Sequence, residues 1–214
     1  RNMVVRTSVK MKNKISGLLM EVGAPYEKRR LHSRSYFNQL LESVEDVPGS
    51  VKDLLKLSRC NLELFEAVQK KLVKTLRHEP QIKERVECLM SIAGVGEITA
   101  LTWVLEIGDP ARFKNSRQAI SYCGLCSAQK ESAGKEHRGP ISKKRNKHLQ
   151  TILVEAAKLA PYWNPHLAAV REKELERGNR NRATLSVARK LVEYMLAVDR
   201  RCTPFVSEEP SPVN

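Results

Sequence analysis

Aromatic residues are scarce in this chain, with two Trp, five Tyr and four Phe in 214 residues. None sits in an RNA-recognition pattern, so a surface that works chiefly by stacking bases is not supported. No run of 18 or more apolar residues occurs and no basic, apolar, small-residue signal opens the chain, which argues against a membrane partner. Acidic residues are in deficit as well: 24 Asp and Glu against 38 Lys and Arg leave a formal net charge of +14. That excess is larger than solubility needs and points to a polyanion, so nucleic acid is the expected partner. The five cysteines, Cys60, Cys88, Cys123, Cys126 and Cys202, are an odd number scattered through segments that read as helical. Such thiols are expected to be reduced, which suits a cytoplasmic location. Cys123-Gly-Leu-Cys126 is formally a C-x-x-C, and either a redox pair or half a zinc site completed by His137 or His148 is conceivable. No second C-x-x-C follows, so ordinary buried thiols are the preferred reading and no metal is assigned to these residues.

What is present is enough to fold. The chain is 41% hydrophobic and 29% charged, the balance of a globular protein, and its length suits one domain or one domain with an arm. It opens inside a segment that already reads as a helix, as a truncated product would. Met11, Ile15, Leu18 and Val22 recur at helical spacing until Gly23 and Pro25 interrupt them. After a second break at Val47-Pro48-Gly49-Ser50, Leu55, Leu62, Phe65, Val68, Leu72 and Leu76 trace an apolar stripe along roughly seven turns. An arm, a helical-hairpin strut or a dimerising coil fits this length, with a long helix packed on its own domain as the plainer alternative. Three parts follow: an arm over 1–79, a compact domain over 80–203 and a loose tail over 204–214.

Within the compact part, Ile82, Val86, Leu89 and Met90 mark a short helix. Gly94-Val95-Gly96 interrupts it, and Ile98 to Ile107 continues before Gly108-Asp109-Pro110. A helix, a tight turn and a helix leave backbone N–H groups and a helix-dipole end together, so Gly94 and Gly96 are candidate phosphate-contact positions, although a plain helix–helix turn has the same spacing. Glu106 and Asp109 resemble a carboxylate pair, but they close an apolar helix and are expected to serve its turn.

The most concentrated charge lies between Lys114 and His148, which holds nine Lys or Arg against only Glu131 and Glu136. Residues Cys126 to Pro140 are polar and contain Gly134 and Gly139, which reads as a loop. A short helix through Ala119 and Ile120 precedes it. A longer helix follows Ser142, the expected N-cap, with Leu149, Ile152, Leu153, Ala156 and Ala157 on one face. Cations crowded on a glycine-containing loop and a helix start favour phosphate; a solvated cationic surface is the duller alternative.

A more specific resemblance appears along this same stretch. Leu89-Met-Ser-Ile-Ala-Gly-Val-Gly-Glu-Ile-Thr-Ala100, Glu106-Ile-Gly-Asp109, Tyr122-Cys-Gly-Leu-Cys126, Glu131-Ser-Ala-Gly-Lys135, Gly139-Pro-Ile-Ser-Lys143 and Asn146-Lys-His-Leu149 stand in this order. In that order they resemble the carboxy-terminal half of insertion-sequence transposases of the IS-one-ten family. The preceding helices resemble that family's linker. The resemblance implies a missing amino-terminal RNase-H-like domain that binds a divalent metal such as Mg. It also implies DNA strand cleavage and rejoining by a serine nucleophile, guided by a bridge RNA. The family's serine falls on Ser132, with Ser127 and Ser142 as nearby rivals.

On that resemblance Ser132 is the candidate catalytic residue. Lys130, Lys135, Arg138 and Lys143 are candidates to hold the phosphate, and Gly134 would let the chain approach it closely. Lys144, Arg145, Asn146 and Lys147 complete the candidate nucleic-acid surface, with the partners expected to be DNA, guide RNA and further copies of the chain as a dimer or tetramer. Downstream, Trp163 to Gly178 and Ala183 to Val198 read as helices, and Arg180 and Arg182 between them, with Arg189 and Lys190, are available to a nucleic-acid backbone, an exposed cationic face being the duller alternative. The expected fold is mainly α, a long helical arm or coiled-coil-like hairpin followed by a compact helical domain with a helix-hairpin-helix-like unit. A non-catalytic helix-hairpin-helix module and a dimerising helical scaffold are the alternative functions.

Overall fold

The computed structural model describes residues 2–44, 47–132, 135–141 and 145–206, with the backbone alone described for 128–132 and 135–140. The chain divides into two compact units, Arg1–Thr75 and Leu76–Asn214. The first contains helices α1 (Asn2–Glu21) and α2 (Arg34–Ser43) and most of α3 (Gly49–Arg77). Helix α1 stops where Gly23 adopts φ +67, a left-handed conformation that costs glycine little. Ile15, Leu18, Leu19, Leu31, Phe37, Leu40, Leu55 and Leu62 form the buried cluster of this unit. Arg59 fastens α3 to the α1–α2 connection by donating to the His32 carbonyl at 2.8 Å while its guanidinium lies over the Phe37 ring. The long stripe seen in the sequence forms one helix, but it does not form one buried face. Leu55 and Leu62 are buried, whereas Val68 and Leu72 are exposed.

The second unit contains α4 (Pro80–Met90), α5 (Glu97–Ile107), α6 (Ser116–Tyr122), β1 (Ser127–Ser132), β2 (Lys135–Ile141), α7 (Lys147–Leu159), α8 (Pro165–Leu175) and α9 (Arg180–Arg201). Asparagine starts four of these helices. The side chains of Asn115, Asn146, Asn164 and Asn179 each accept a backbone N–H in the first turn of the helix that follows. Proline takes the first helical position of α4 and α8, where its missing N–H costs nothing. Helix α9 is central, packing against α4, α6, α7 and α8. Its inward face, Ala183, Val187, Ala188, Leu191, Val192 and Met195, is at most 1% exposed.

One polar knot crosses this core. Asp199 on α9 has a fully buried carboxylate held by Arg85 on α4 through two hydrogen bonds of 2.7 and 2.9 Å, and the indole N–H of the fully buried Trp103 donates to it at 2.9 Å. Arg85 also donates to the Gly108 carbonyl at the end of α5. The pairing with Asp199 raises the affinity of Arg85 for its proton. A buried carboxylate survives here because a charged partner and a second donor both hold it.

Three expectations change. The segment expected as a loop over 126–140 is a two-stranded antiparallel hairpin, β1–β2. The following helix begins at Lys147 rather than after Ser142, because Asn146 Oδ1 accepts from both His148 and Leu149 N–H groups. Ser142 itself lies outside the described residues. The helix expected over Trp163 to Gly178 is shorter, starting at the Asn164-Pro165 cap and closing before Gly178 at φ +83. The mainly helical class stands.

Candidate functional site

The hairpin that carries Ser132 leaves the helical body between α6 and α7, and the body grips both of its ends. On entry, Cys123 and Leu125 are fully buried, and burial pushes the Cys123 thiol up to about 12. Between them Gly124 adopts φ +71, and a Cβ added there would lie 2.3 Å from the Arg145 Cβ. Entry and exit strands can therefore touch only because residue 124 has no side chain. The Gly124 carbonyl accepts from Gln150 of α7 at 2.6 Å and the Leu125 carbonyl from Arg189 of α9 at 2.9 Å. On exit, the Asn146 N–H donates to the Tyr122 carbonyl at 3.2 Å. The Asn146 amide also donates to Glu106 Oε2 of α5 at 2.7 Å, while the Tyr122 hydroxyl donates to the Glu106 carbonyl. Asn146 thus caps α7 and ties the hairpin exit to α5 at once.

An open cleft of about 540 Å³ lined by Ser121, Tyr122, Arg145 and Asn146 lies at this base. Beside it, the Arg112 guanidinium lies over the Tyr122 ring at 4.3 Å and over the Phe113 ring at 4.5 Å from their centres, within cation–π range of both.

Pairing along the ribbon sets Ser132 opposite Lys135, Glu131 opposite Glu136, Lys130 opposite His137 and Gln129 opposite Arg138. Successive strand positions alternate between faces and directly paired positions share one. Positions 130, 132, 135 and 137 therefore share a face carrying serine, two lysines and a histidine. Positions 129, 131, 136 and 138 share the other, which carries both glutamates and Arg138. The ribbon thus has a cationic face with the serine and an acidic face without it. Neither face is apolar, and each strand's chief packing partner is the other strand. A two-stranded ribbon of this kind is marginal by itself, which makes the grip on its base the main restraint among the described residues.

The expected site residues therefore separate into groups. Lys130 and Lys135 share the ribbon face of Ser132, whereas Arg138 holds a position on the opposite face. Arg145, Asn146 and Lys147 stand at the hairpin exit and the start of α7. Gly134, Lys143 and Lys144 lie outside the described residues. The rival Ser127 begins β1, opposite Ile141 and remote from the Ser132 end. Gly94 serves close packing, since at φ +93 a Cβ there would come within 2.4 Å of the Ala160 Cβ. Gly96 is exposed at the start of α5, and Glu97, an acidic side chain already suited to a helix N-terminus, pairs with Arg77 in that first turn.

Asp109 serves the turn as expected, accepting from the Ala111 N–H. Among the described residues no group of three His, Cys, Asp or Glu comes together to hold a metal, and the five cysteines are free. Of the downstream cations, Lys190 pairs with Glu193 and Arg182 with Glu174, while Arg189 serves the hairpin base. Gln150 is a supporting residue that sequence reasoning missed, and Glu106 and Arg189, expected at the α5 turn and on a nucleic-acid backbone, hold the hairpin base instead. The only hint lay in helical spacing, which sets 150 one position beyond an apolar partner and 189 one beyond Ala188.

Residues 86–171 match the model of the IS116/IS110/IS902 transposase family. This segment is similar to the transposases of that family. Over 89% of its length the chain is 29% identical to the transposase for insertion sequence element IS1111A of Coxiella burnetii, covering 54% of that protein. It is 27% identical over 96% of its length to the transposase for IS1328 of Yersinia enterocolitica, covering 62% of it. A probable family 20 transposase of Pseudomonas aeruginosa is 28% identical over 74% of the chain and 47% of its own length. The chain therefore spans about half the length of the curated relatives it matches. The family segment includes α5, α6, the hairpin and α7, and so encloses the gripped base apart from Arg189. No helix among the described residues is long and apolar enough to cross a membrane.

Proposed function

We propose that this chain is the carboxy-terminal catalytic part of a DNA transposase and that Ser132 is its nucleophile. The observation that carries the reading is the register of the ribbon, in which Ser132 shares one face with Lys135 and Lys130 inside a segment of transposase family sequence. In the proposed reaction the Ser132 Oγ attacks the phosphorus of a DNA diester. A phosphoserine bond forms, the bond from phosphorus to one deoxyribose oxygen breaks, and that oxygen leaves as a hydroxyl once protonated. The ester keeps the energy of the broken bond, so a second DNA hydroxyl can attack it and reseal the strand without ATP. Lys130 and Lys135 stabilise the charge that builds on the non-bridging oxygens. Lys147 and Arg145 at the hairpin base extend the cationic surface along the DNA backbone.

The proposed partners are DNA, a guide RNA and a second copy of the chain. For the last, Leu54, Leu57, Leu64 and Val68 on α3 are 36–57% exposed and alternate in threes and fours with Asn61, the spacing of a two-helix seam with a polar register residue. Light scattering tests this directly: a mass twice that of the monomer is expected. A divalent metal such as Mg is proposed to be held by an RNase-H-like domain outside these residues.

Ser132→Ala in the transposase tests the nucleophile. Strand cleavage and the covalent adduct are expected to vanish while DNA affinity stays within about twofold. Retained strand transfer removes Ser132 from this role, and loss of DNA binding with normal folding turns the site into a binding module.

A further inference from the structure

A serine hydroxyl is a weak nucleophile at neutral pH and needs a group that takes its proton. The ribbon restricts which groups qualify. Ser132 shares its face with Lys130, Lys135 and His137, and no carboxylate among the described ribbon residues holds a position there, because Glu131 and Glu136 pair with each other on the opposite face. Lysine is ordinarily protonated below about pH 10 and has no acceptor. Arg138 is a permanent cation on the opposite face. Imidazole alone among these groups exchanges a proton near neutral pH. Position 137 is diagonal to position 132 across the two strands, a separation of roughly 7–8 Å between backbones.

We infer that His137 is the general base for Ser132. This rests on the reading of Ser132 as nucleophile and goes beyond it by naming the group that activates the hydroxyl. As the Oγ–phosphorus bond forms, the hydroxyl proton passes to a ring nitrogen of His137. As the phosphorus–deoxyribose bond breaks on the face opposite the attack, the departing oxygen takes a proton from water, while the imidazolium gives its own to water and returns to its neutral form. Resealing runs the same transfer backwards. Lys130, directly opposite His137, and Lys135, two positions before it, share its face and supply the positive charge around the phosphate. Among the described residues, neither strand packs extensively on an element beyond the ribbon. The arrangement divides the labour: lysines for charge, histidine for the proton, serine for the bond.

Diisopropyl fluorophosphate probes this step in the chain itself, because fluoride leaves without help and no target sequence is needed. Labelling of Ser132, mapped by mass spectrometry, is expected to outpace that of Ser121 and Ser127 and to rise as pH increases through the imidazole range. His137→Gln should slow it at least ~100-fold and flatten that rise. His137→Ala should be slow as well and be restored in part by added imidazole, which a merely structural role would not permit. Circular dichroism of both variants checks the fold, and the imidazole response reads the proton transfer even if the ribbon loosens. Labelling that is unchanged in both variants overturns the base assignment, as does the absence of Ser132 labelling at every pH. The nucleophile reading is decided separately by Ser132→Ala, whose retained strand transfer would sink that reading instead.

Discussion

Replacing Gly124 by alanine should loosen the hairpin far more than it destabilises the domain. The φ of +71 disfavours any side chain, at a cost of about 1–2 kcal/mol. The new Cβ would also sit 2.3 Å from the Arg145 Cβ and 2.9 Å from its Cδ, an overlap relieved only by backbone movement, for about 1–3 kcal/mol more. Gly94→Ala supplies a matched control, with φ +93 and a 2.4 Å approach to the Ala160 Cβ, but within the α4–α5 turn. Both variants should lose roughly 2–5 kcal/mol, read as a fall in melting temperature of roughly 3 °C per kcal/mol for a domain of this size. They should differ in amide hydrogen exchange. Gly124→Ala is expected to speed exchange of the β1–β2 ladder about tenfold or more beyond its global loss, because entry and exit strands must part. Gly94→Ala should speed it only in proportion to global stability. Equal ladder exchange in the two variants would refute the claim that the ribbon is positioned from its base.

Asp199→Ala should cost about 3 kcal/mol or more in urea unfolding, since Arg85 and the Trp103 N–H lose their shared acceptor; a loss under about 1 kcal/mol would contradict the knot. The Cys123 thiol, pushed up to about 12 by burial from an ordinary 9.0, keeps its proton in the folded state while the unfolded thiol loses it. Stability should therefore fall between about pH 9 and 12, by about 1.4 kcal/mol per pH unit at most. Cys123→Ala should flatten that limb in denaturation series. Affinity for non-specific duplex DNA should fall steeply with salt, and the double variant Lys130→Ala with Lys135→Ala should reduce the log–log slope by about 1.8. An unchanged slope would take the lysines off the backbone.

The helices were legible because their burial is periodic. Val86, Leu89, Leu101 and Val104 recur at helical spacing, glycines interrupt them between 94 and 96, and the structure breaks there. The hairpin was not legible, because strand periodicity comes from one face packing on a core. A ribbon with lysines on one face and glutamates on the other carries no alternation of apolar residues, so it resembles a loop. The start of α7 was misjudged because Ser142 and Asn146 are both good caps, and only the contacts of Asn146 with Glu106 and Tyr122 decide between them. Asp199 lay hidden among the arginines ending α9, its partner Arg85 being 114 positions away. Ser132 came from a family resemblance, and the register then added what the resemblance lacked, a division of its charged neighbours between two faces.

The most direct measurement traps the covalent intermediate on DNA and identifies the amino acid that carries the phosphate. The transposase, its guide RNA and a DNA substrate with a bridging phosphorothiolate at the scissile position would be mixed and digested, and the nucleotide-bearing peptide sequenced by mass spectrometry. The account predicts a single adduct on Ser132. An adduct on Ser121, Ser127, Ser142 or a tyrosine, or cleavage with no adduct, would contradict it.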